Sequence, residues 1–391
     1  MASANDESAS VSAPKLDGDV LLIHMPFEPD NAWIAKVEAR YPGFKVRWYT
    51  RPWGFEKIAL PAEAYEGVTM LCSPGEPSPD LPKLRYVQIA QAGADAWINT
   101  PLYKNSKVVF CTANGTHPPQ IAEWVIGTYL QHAHHFLSYF AQQQASPTKP
   151  QQKLLNLQVQ DSPGLRMGIL GYGAIGRQVA RIAQALGMEV YAYTRREKPT
   201  PKARKDDSYL APGVLGDPEG IIPTRWFHGG SKADTNNFLS QNLDVVVISL
   251  PLTPETKGMM SKEQFDIVEQ TSLPENGGTG RKTFISNIGR GEIIDTDALV
   301  DALKTDKIRG AALDVTDPEP LPEGHELLKM MVQEPGKIFV TPHVSWQTPH
   351  YFERVLGIIE RNLEVLMDDG TGSKEETRKP LLNVIDRVHH Y

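Results

Sequence analysis

Cysteine is nearly absent from this chain: its 391 residues include only Cys72 and Cys111. Both lie in apolar, strand-like runs, which predicts buried free thiols rather than the disulfide framework of a small secreted domain. Free thiols persist in a reducing compartment, so we expect a cytoplasmic protein.

An excess of positive charge is missing as well. The chain has 40 Lys and Arg against 47 Asp and Glu, and its net charge of −7 argues against a general attraction to nucleic acid or anionic membranes. Its apolar runs are too short to span a bilayer. Residues 1–17 are small and polar, lack the pattern of a signal peptide, and are predicted to form a disordered tail. We therefore expect neither a nucleic acid nor a membrane as partner.

The sequence also lacks a group of residues at the spacing that metal binding requires. His132, His134 and His135 lie within residues 120–141, whose apolar spacing predicts one long helix. No carboxylate or cysteine joins them at the spacing that a zinc site needs. We expect no metal.

Length and repeated apolar runs are what the chain does have. A chain of 391 residues is too long for one compact core and predicts two domains. Short apolar runs alternate with helical stretches, which indicates α/β domains built on parallel sheets. In the first region we predict strands at residues 20–23, 68–72, 84–89 and 107–111. Pro118 and Pro119 then open the long helix and mark a candidate hinge.

A glycine-rich segment organises the central region. An apolar run at 167–170 leads into Gly171, Gly173 and Gly176, which are followed by a helical pattern and a second apolar run at 190–193. In a dinucleotide-binding unit such glycines allow a tight turn, close approach of a pyrophosphate, and close packing of helix on strand. The first helical residues, Ala174 and Ile175, would present free N–H groups to the phosphates. We predict a dinucleotide site here.

The end of the second strand predicts which dinucleotide binds. NAD-selective sites place an acidic residue there, whereas this chain has Thr194, Arg195 and Arg196. A hydroxyl and two guanidinium groups suit a ribose 2′-phosphate. We therefore expect NADP(H) as the preferred cofactor and NAD(H) as the alternative, and the competing interpretation is a solvated basic turn.

Three candidate reactive residues each follow a later predicted strand. Arg290, Glu319 and His343 come after residues 283–287, 310–314 and 338–340, and a further apolar run covers 243–250. Nicotinamide-dependent reduction of a 2-oxo acid needs a cation for the substrate, an acid for the carbonyl oxygen, and a carboxylate for that acid. Each residue alone is equally compatible with a structural role, as a solvated arginine, a glutamate between prolines or a capping histidine.

Five motifs, taken together, resemble the NAD(P)-dependent D-isomer-specific 2-hydroxyacid dehydrogenases, including their glyoxylate and hydroxypyruvate reductases. They are GYGAIG at 171–176, SLPLTPET at 249–256, SNIGRGEIIDTDAL at 286–299, GAALDVTDPEP at 310–320 and TPH at 341–343. The resemblance covers residues 84–391. It implies that Arg290 binds the substrate, that His343 is the general acid and base, and that Glu319 pairs with it. The nearby His325 is the less favoured candidate for the histidine.

The same resemblance implies further binding residues. Ala92 and Gly93 match the turn whose N–H groups hold the substrate carboxylate, although an ordinary turn fits the local sequence equally well. Asp314 resembles the aspartate near the nicotinamide amide. The residues that would line the dinucleotide are Leu250, Pro251, Thr256 and Ile288.

The family fold implies two Rossmann-like domains with doubly wound parallel sheets. Residues 18–118 and 346–391 would form a discontinuous substrate domain, and residues 119–345 a central dinucleotide-binding domain that also forms a homodimer. The expected activity is NADPH-dependent reduction of a small 2-oxo acid such as glyoxylate, hydroxypyruvate or a branched acid. The alternative is a dinucleotide-gated binding protein, like the corepressors that share this fold.

Three features depart from the family pattern besides the basic turn. Residues 197–236 and 271–282 are loop insertions longer than usual, with no assigned role. Trp346 stands where small residues often follow the histidine motif. It either narrows the substrate pocket or packs between domains.

Overall fold

The computed structural model describes residues 16–52, 54, 58–77, 79–105, 107–145, 157–367 and 380–387. Most of the predicted tail lies outside these residues. Its last two positions are folded, because Leu16 is fully buried and its carbonyl accepts a hydrogen bond from the Asp19 N–H at 3.1 Å. The predicted tail is therefore two residues too long.

The chain divides into two compact units, the first made of residues 1–114 and 352–391 and the second of residues 115–351. The chain passes from one unit to the other after residues 114 and 351, whereas the sequence predicted these boundaries after residues 118 and 345. The ring of His117 packs on Tyr351 with centroids 5.2 Å apart, and the Gln120 side chain donates to the Trp346 carbonyl at 2.8 Å. These contacts keep both connecting segments in the second unit.

The first unit contains a five-stranded parallel sheet in the order β2-β1-β3-β4-β5. Its elements are β1 (Val20–Met25), α1 (Asn31–Arg40), β2 (Lys45–Thr50), α2 (Ala62–Tyr65), β3 (Met70–Cys72), β4 (Tyr86–Gln88), α3 (Pro101–Asn105) and β5 (Val109–Cys111). Sequence analysis missed β2 because this edge strand is half-exposed and alternates polar with apolar residues. Cys72 and Cys111 are buried free thiols, as predicted, and burial raises the pKa of each to about 12.

The C-terminal residues complete this first unit. The Ile385 N–H donates to the Phe110 carbonyl at 2.9 Å, and the Asn383 carbonyl accepts from the Thr112 N–H at 3.0 Å. Phe27 stacks on Phe352 with centroids 4.5 Å apart. The unit is therefore built from both ends of the chain.

The second unit contains a seven-stranded parallel sheet in the order β12-β11-β10-β9-β6-β7-β8. Its strands are β6 (Arg166–Leu170), β7 (Glu189–Thr194), β8 (Arg225–His228), β9 (Val245–Ile248), β10 (Phe284–Asn287), β11 (Gly310–Leu313) and β12 (Ile338–Val340). Its helices are α4 (Pro118–Ala133), α5 (Phe136–Ala145), α6 (Ala174–Ala185), α7 (Pro201–Arg204), α8 (Lys232–Leu239), α9 (Lys262–Ser272), α10 (Thr296–Lys304) and α11 (Glu326–Gln333). The last helix, α12 (Tyr351–Met367), begins here and continues in the first unit.

Helices cover both faces of this second sheet. On β9, Val246 and Ile248 pack into one hydrophobic cluster, and Val245 and Val247 pack into the other. A strand buried on both faces needs a continuous apolar run, which is the pattern that predicted β9. The predicted fold class, with two parallel sheets of the doubly wound type, is confirmed.

The predicted long helix is two helices. The chain breaks between α4 and α5 at His134 and His135, where His135 has a φ of +58° that cannot continue a right-handed helix. His132 is bonded through Nδ1 to the Gly336 carbonyl at 2.8 Å, and burial is the main cause that lowers its pKa to about 4. Among the described residues, no group of three His, Cys, Asp or Glu side chains is placed to hold a metal.

Both predicted insertions contain regular secondary structure. Residues 197–236 include the short helix α7, the edge strand β8 and the start of α8, so the part before β8 is residues 197–224. Residues 271–282 begin with the end of α9 and are tied to the sheet by Arg281, whose Nε lies 2.7 Å from Oδ1 of the buried Asp244. In the part of the chain that the structure describes, no helix is long and apolar enough to cross a membrane.

Candidate active site

The candidate site lies at the carboxyl edge of the seven-stranded sheet, where the strand order reverses. Strand β6 pairs with β7 on one side and β9 on the other. The loops after β6 and β9 therefore diverge at this point and leave a crevice, the usual ligand position in a doubly wound sheet. The glycine loop follows β6, and the SLPLTPET segment follows β9.

The three glycines of the loop have different surroundings. Gly171 has a φ of +99°, and a Cβ there would collide with the Ser249 carbonyl on the neighbouring strand. A Cβ at Gly176 would collide with the Gly171 carbonyl, so this glycine lets α6 pack closely. No described atom lies within 4 Å of a Cβ built on Gly173, which precedes α6. The loop thus has a turn, an open face and a close helix contact in the order that a pyrophosphate site requires.

The basic turn lies at the end of β7, beside the end of β8. The Thr194 hydroxyl donates a hydrogen bond to the Arg196 carbonyl at 2.7 Å, and this bond stabilises the turn. Both arginines are exposed. A Cβ at Gly230 would overlap the guanidinium of Arg195, so the end of this exposed side chain lies directly against the Gly230 backbone.

The loop after β9 contains the predicted dinucleotide contacts. Thr256 closes this loop, because its hydroxyl donates to the Pro251 carbonyl at 2.7 Å and accepts from the Thr253 N–H at 2.8 Å. Leu250 lies close to the loop after β10, since a Cβ at Gly289 would lie 2.6 Å from its carbonyl oxygen. Ile288 is buried at the start of that second loop.

The structure brings His343 and Glu319 together. His343 Nδ1 lies 2.8 Å from Glu319 Oε1, and about 40% of each side chain is exposed. They come from the loops after β12 and β11, which are adjacent strands. A histidine held by a carboxylate through one ring nitrogen presents the other nitrogen for proton transfer.

Glu319 is held as a carboxylate. Partial burial favours its neutral form and is the largest single influence on its pKa. The hydrogen bond and charge of His343, the N–H of Thr316 and the charge of Arg290 together outweigh it, so the pKa of Glu319 lies below its ordinary value.

Arg290 lies on the loop after β10, the next strand along the sheet. Its carbonyl accepts from the Asn287 side chain at 2.9 Å, and its guanidinium donates to the Gly289 carbonyl at 2.7 Å. A Cβ at Gly291 would collide with Thr316, so the loops after β10 and β11 are in contact. Three consecutive loops on one edge thus carry the three predicted reactive residues.

His325, the alternative histidine, has a structural contact. It is the N-cap of α11, and its Nδ1 accepts from the Leu327 N–H at 3.2 Å.

Ala92 and Gly93 lie in the first unit, in the turn that follows β4. The turn is held by the Gln91 carbonyl, which accepts from the Ala113 N–H at 2.9 Å. Ala92 itself is exposed.

Comparison with known proteins identifies the family to which this chain belongs. The sequence model of the family described as "D-isomer specific 2-hydroxyacid dehydrogenase, NAD binding domain" matches residues 126–212 and 225–345, more than half of the chain. The chain belongs to this family. It is an enzyme of the D-2-hydroxyacid dehydrogenase and reductase type that uses a nicotinamide dinucleotide.

Curated relatives of the dehydrogenase carry matching names. A hydroxypyruvate reductase of Blautia hydrogenotrophica is 28% identical over 294 residues, which are 74% of this chain and 78% of that protein. The human glyoxylate reductase/hydroxypyruvate reductase is 30% identical over 196 residues, 50% of this chain and 48% of that protein.

Solved structures share the fold. A D-isomer specific 2-hydroxyacid dehydrogenase from Xanthobacter autotrophicus, in complex with NADPH and MES, aligns with a TM-score of 0.67 at 22% identity over 95% of this chain and 99% of that chain. An NADPH-dependent glyoxylate/hydroxypyruvate reductase from Sinorhizobium meliloti, in complex with NADP and sulfate, aligns with a TM-score of 0.66 at 21% identity over 95% and 100%.

Two residues of this dehydrogenase hold the histidine loop in ways that sequence analysis missed. Asp314 is buried, and its carboxylate accepts from the Thr341 hydroxyl at 2.6 Å and from the N–H groups of Val344 and Ser345 at 2.9 and 3.1 Å. Its proximity to the nicotinamide amide stays a prediction. Asp314 directly follows β11, and a carboxylate at the end of a buried strand could have indicated that it accepts hydrogen bonds from a neighbouring loop.

Trp346 is the second of these residues. Its indole N–H donates to the His343 carbonyl at 2.8 Å, and its ring packs on Tyr351 with centroids 5.0 Å apart. His343 has a φ of +54°, a conformation that needs support from its surroundings. Trp346 therefore packs within the second unit and supports the loop that carries His343.

Proposed function

We propose that this dehydrogenase reduces a small 2-oxo acid to the D-2-hydroxy acid with NADPH. The observation that carries the proposal is the 2.8 Å pair of His343 and Glu319, with Arg290 on the adjoining loop. The names of the relatives favour glyoxylate or hydroxypyruvate as substrate over a branched 2-oxo acid.

The chemistry divides between cofactor and protein. A bound reduced nicotinamide supplies the hydride that the carbonyl carbon accepts. Arg290 pairs with the substrate carboxylate and polarises the carbonyl. Protonated His343 gives the proton on Nε2 to the carbonyl oxygen as its charge develops, and solvent later returns a proton to the ring. Glu319 stays ionised, holds the ring through Nδ1 and stabilises its charged form.

The residues around the crevice fit a dinucleotide. Gly171, Gly173 and Gly176 with the start of α6 would hold the pyrophosphate, and Leu250, Pro251 and Ile288 would line the nicotinamide side. Arg195 and Arg196 would hold the 2′-phosphate. We assign Ala92 and Gly93, in the first unit, to the substrate carboxylate.

Association and location are part of the same proposal. We propose a homodimer formed through the second unit, because α5 exposes Phe136 and Phe140 at 58% each and buries none of its residues. Two buried free thiols favour the cytoplasm.

The decisive experiment is steady-state kinetics on a panel of 2-oxo acids with NADPH and with NADH. We expect turnover of glyoxylate or hydroxypyruvate and a higher kcat/KM with NADPH. NADPH binding without oxidation by any 2-oxo acid would instead support the dinucleotide-gated binding protein.

A further inference from the structure

Residues 197–224 lie between β7 and β8. The last twelve of them, residues 213–224, are not matched by the family model. We call residues 197–224 the β7–β8 insert. Although it carries exposed apolar side chains at Leu215 and Ile221, its middle is anchored in the second unit by Asp217, which is 1% exposed.

Asp217 binds the glycine loop. Its Oδ2 accepts from the hydroxyl of Tyr172 at 2.8 Å and from the Ile222 N–H at 3.2 Å, and its Oδ1 accepts from the Ile221 N–H at 3.0 Å. Tyr172 stands between Gly171 and Gly173. Burial first, and then the charge and hydrogen bond of Asp217, raise the pKa of Tyr172, so it remains a hydroxyl donor.

Helix α6 holds the same insert at several points. Arg177 is 4% exposed, and its Nε lies 3.1 Å from Asp206 Oδ2. The Arg177 guanidinium also donates to the Asp217 and Arg204 carbonyls and lies 5.0 Å from the centre of the Tyr172 ring. One turn further along, Arg181 donates to the Gly216 carbonyl. The helix that begins at the glycine loop is thus bonded to the insert along its first two turns.

The other end of the insert reaches the start of the second unit. The Ala211 N–H donates to the Gly115 carbonyl at 3.1 Å, and a Cβ at Gly115 would collide with the Tyr209 carbonyl. Beyond the insert, Trp226 of β8 packs edge-on against Tyr172 with centroids 5.1 Å apart. Tyr172 is therefore enclosed by the insert, α6 and β8.

This enclosure matters because the loop must keep its backbone shaped for a pyrophosphate. The N–H groups of Gly171 and Tyr172 both donate to the Tyr193 carbonyl at 3.2 Å, and the hydrogen bond of the Tyr172 side chain to Asp217 adds a further restraint on the turn. A loop that is already ordered loses less conformational entropy when a ligand binds.

We propose that Asp217 is a positioning residue for the dinucleotide, which acts through Tyr172 to hold the glycine loop in its binding shape. The β7–β8 insert is then a part of the cofactor site that never touches the cofactor. This inference rests on the proposed function, because it takes the glycine loop as the pyrophosphate site.

The test is the dissociation constant of NADPH, of NADH and of ADP-ribose, measured by fluorescence or calorimetry on the full chain without substrate. Tyr172→Phe keeps the aromatic ring and its packing on Trp226 but removes the hydroxyl that donates a hydrogen bond to Asp217. We expect all three ligands to bind about 10- to 150-fold more weakly, the range of one hydrogen bond to a charged group. The three losses should be equal, because the ligands share the pyrophosphate.

Tyr191→Phe is the matched control. Tyr191 lies on β7, is equally buried, and donates its hydroxyl to Glu189 at 3.4 Å, far along the strand from the glycine loop. Its removal should leave the three dissociation constants unchanged. Arg181→Gln, which releases the Gly216 carbonyl without altering Tyr172, should give a smaller loss for all three ligands and serves if Tyr172→Phe fails to fold.

The outcomes separate the inference from the function. Wild-type affinity in Tyr172→Phe, or an equal loss in Tyr191→Phe, overturns the role of Asp217. A loss confined to NADPH overturns it too, since the effect would then lie at the 2′-phosphate. Failure of the wild-type chain to bind any of the three ligands overturns the proposed function instead.

Discussion

At the scale of single residues, the proposed reaction depends most on the position of His343. Its N–H donates to the carbonyls of Asp314 and Thr341 at 2.9 Å each, its own carbonyl accepts from Trp346, and its Nδ1 meets Glu319. Four contacts from two loops, those after β11 and β12, thus hold this residue, and the one from Glu319 orients the imidazole itself.

His343→Ala should lower kcat for 2-oxo acid reduction by about 10²- to 10⁴-fold, because the developing oxyanion loses its proton donor. The NADPH dissociation constant should stay the same, which fluorescence titration checks. His325→Ala is the control, and it should keep near-normal turnover. The reverse pattern would move the proton donor to His325.

Glu319→Gln should change the acid side of the pH profile of kcat/KM. The pKa of Glu319 is lowered, so its carboxylate is ionised at neutral pH, and the support it gives to the His343 ring is lost only as pH falls through that lowered pKa. Replacing the carboxylate by an uncharged amide should lower kcat/KM at neutral pH and remove the decline on the acid side that Glu319 causes. An unchanged profile would contradict the pairing.

Arg195→Asp should reverse the choice of cofactor. A carboxylate at this position repels a 2′-phosphate and can accept from a ribose 2′-hydroxyl. We expect the ratio of kcat/KM for NADPH to that for NADH to fall by at least about tenfold, the effect of one charge-assisted bond. If the ratio is the same in both proteins, the arginines form a solvated turn.

At the scale of elements, the loop after β12 depends on Trp346. Trp346→Phe removes the N–H that binds the His343 carbonyl but keeps an aromatic ring against Tyr351. We expect kcat to fall about 3- to 30-fold, the effect of one lost bond to a strained backbone, with little change in KM for NADPH.

Trp124→Phe provides the control for this loop. Trp124 packs beside the same hydrophobic cluster, and its buried indole N–H finds no hydrogen-bond partner among the residues that the structure describes. Its replacement should leave kcat unchanged. Equal effects of both substitutions would assign Trp346 to packing alone.

Elements with strong local patterns were predictable, and those that depend on distant contacts were not. Strands such as β6 and β9 follow from apolar runs that burial on both sheet faces requires. β2 and β8 are edge strands whose half-exposed residues give no such run. The break at His135 and the anchoring of the β7–β8 insert by Asp217 depend on partners remote in sequence, which periodicity does not report.

The candidate reactive residues Arg290, Glu319 and His343 show the same division. Their positions after three strands predicted a shared edge, because carboxyl ends of parallel strands meet there. The motifs then indicated which arginine, glutamate and histidine to choose. The contacts by which Asp314 and Trp346 support His343 could not be predicted from the sequence. They form only in the folded loop, and neither residue type indicates such a contact at its place in the chain.

At the scale of the whole molecule, the exposed face of α5 predicts self-association. Replacing Phe136 and Phe140 together by Glu should convert a dimer into a monomer at micromolar concentration in analytical ultracentrifugation, because buried charges oppose an apolar contact. Ile221→Glu alters an even more exposed apolar residue, at 79%, and should leave the dimer intact. A wild-type monomer, or a double variant that stays dimeric, would contradict the assignment.

The first unit takes its residues from both ends of the polypeptide, and this has a consequence for its biosynthesis. Residues 115–351 are contiguous, so they can fold as soon as they leave the ribosome. The five-stranded sheet, by contrast, must wait for Phe352 to stack on Phe27 and for Ile385 to bond beside β5. A nascent chain stalled after residue 351, with an added C-terminal linker long enough to clear the ribosomal exit tunnel, should therefore protect the glycine loop from protease while β1 to β5 remain cleavable.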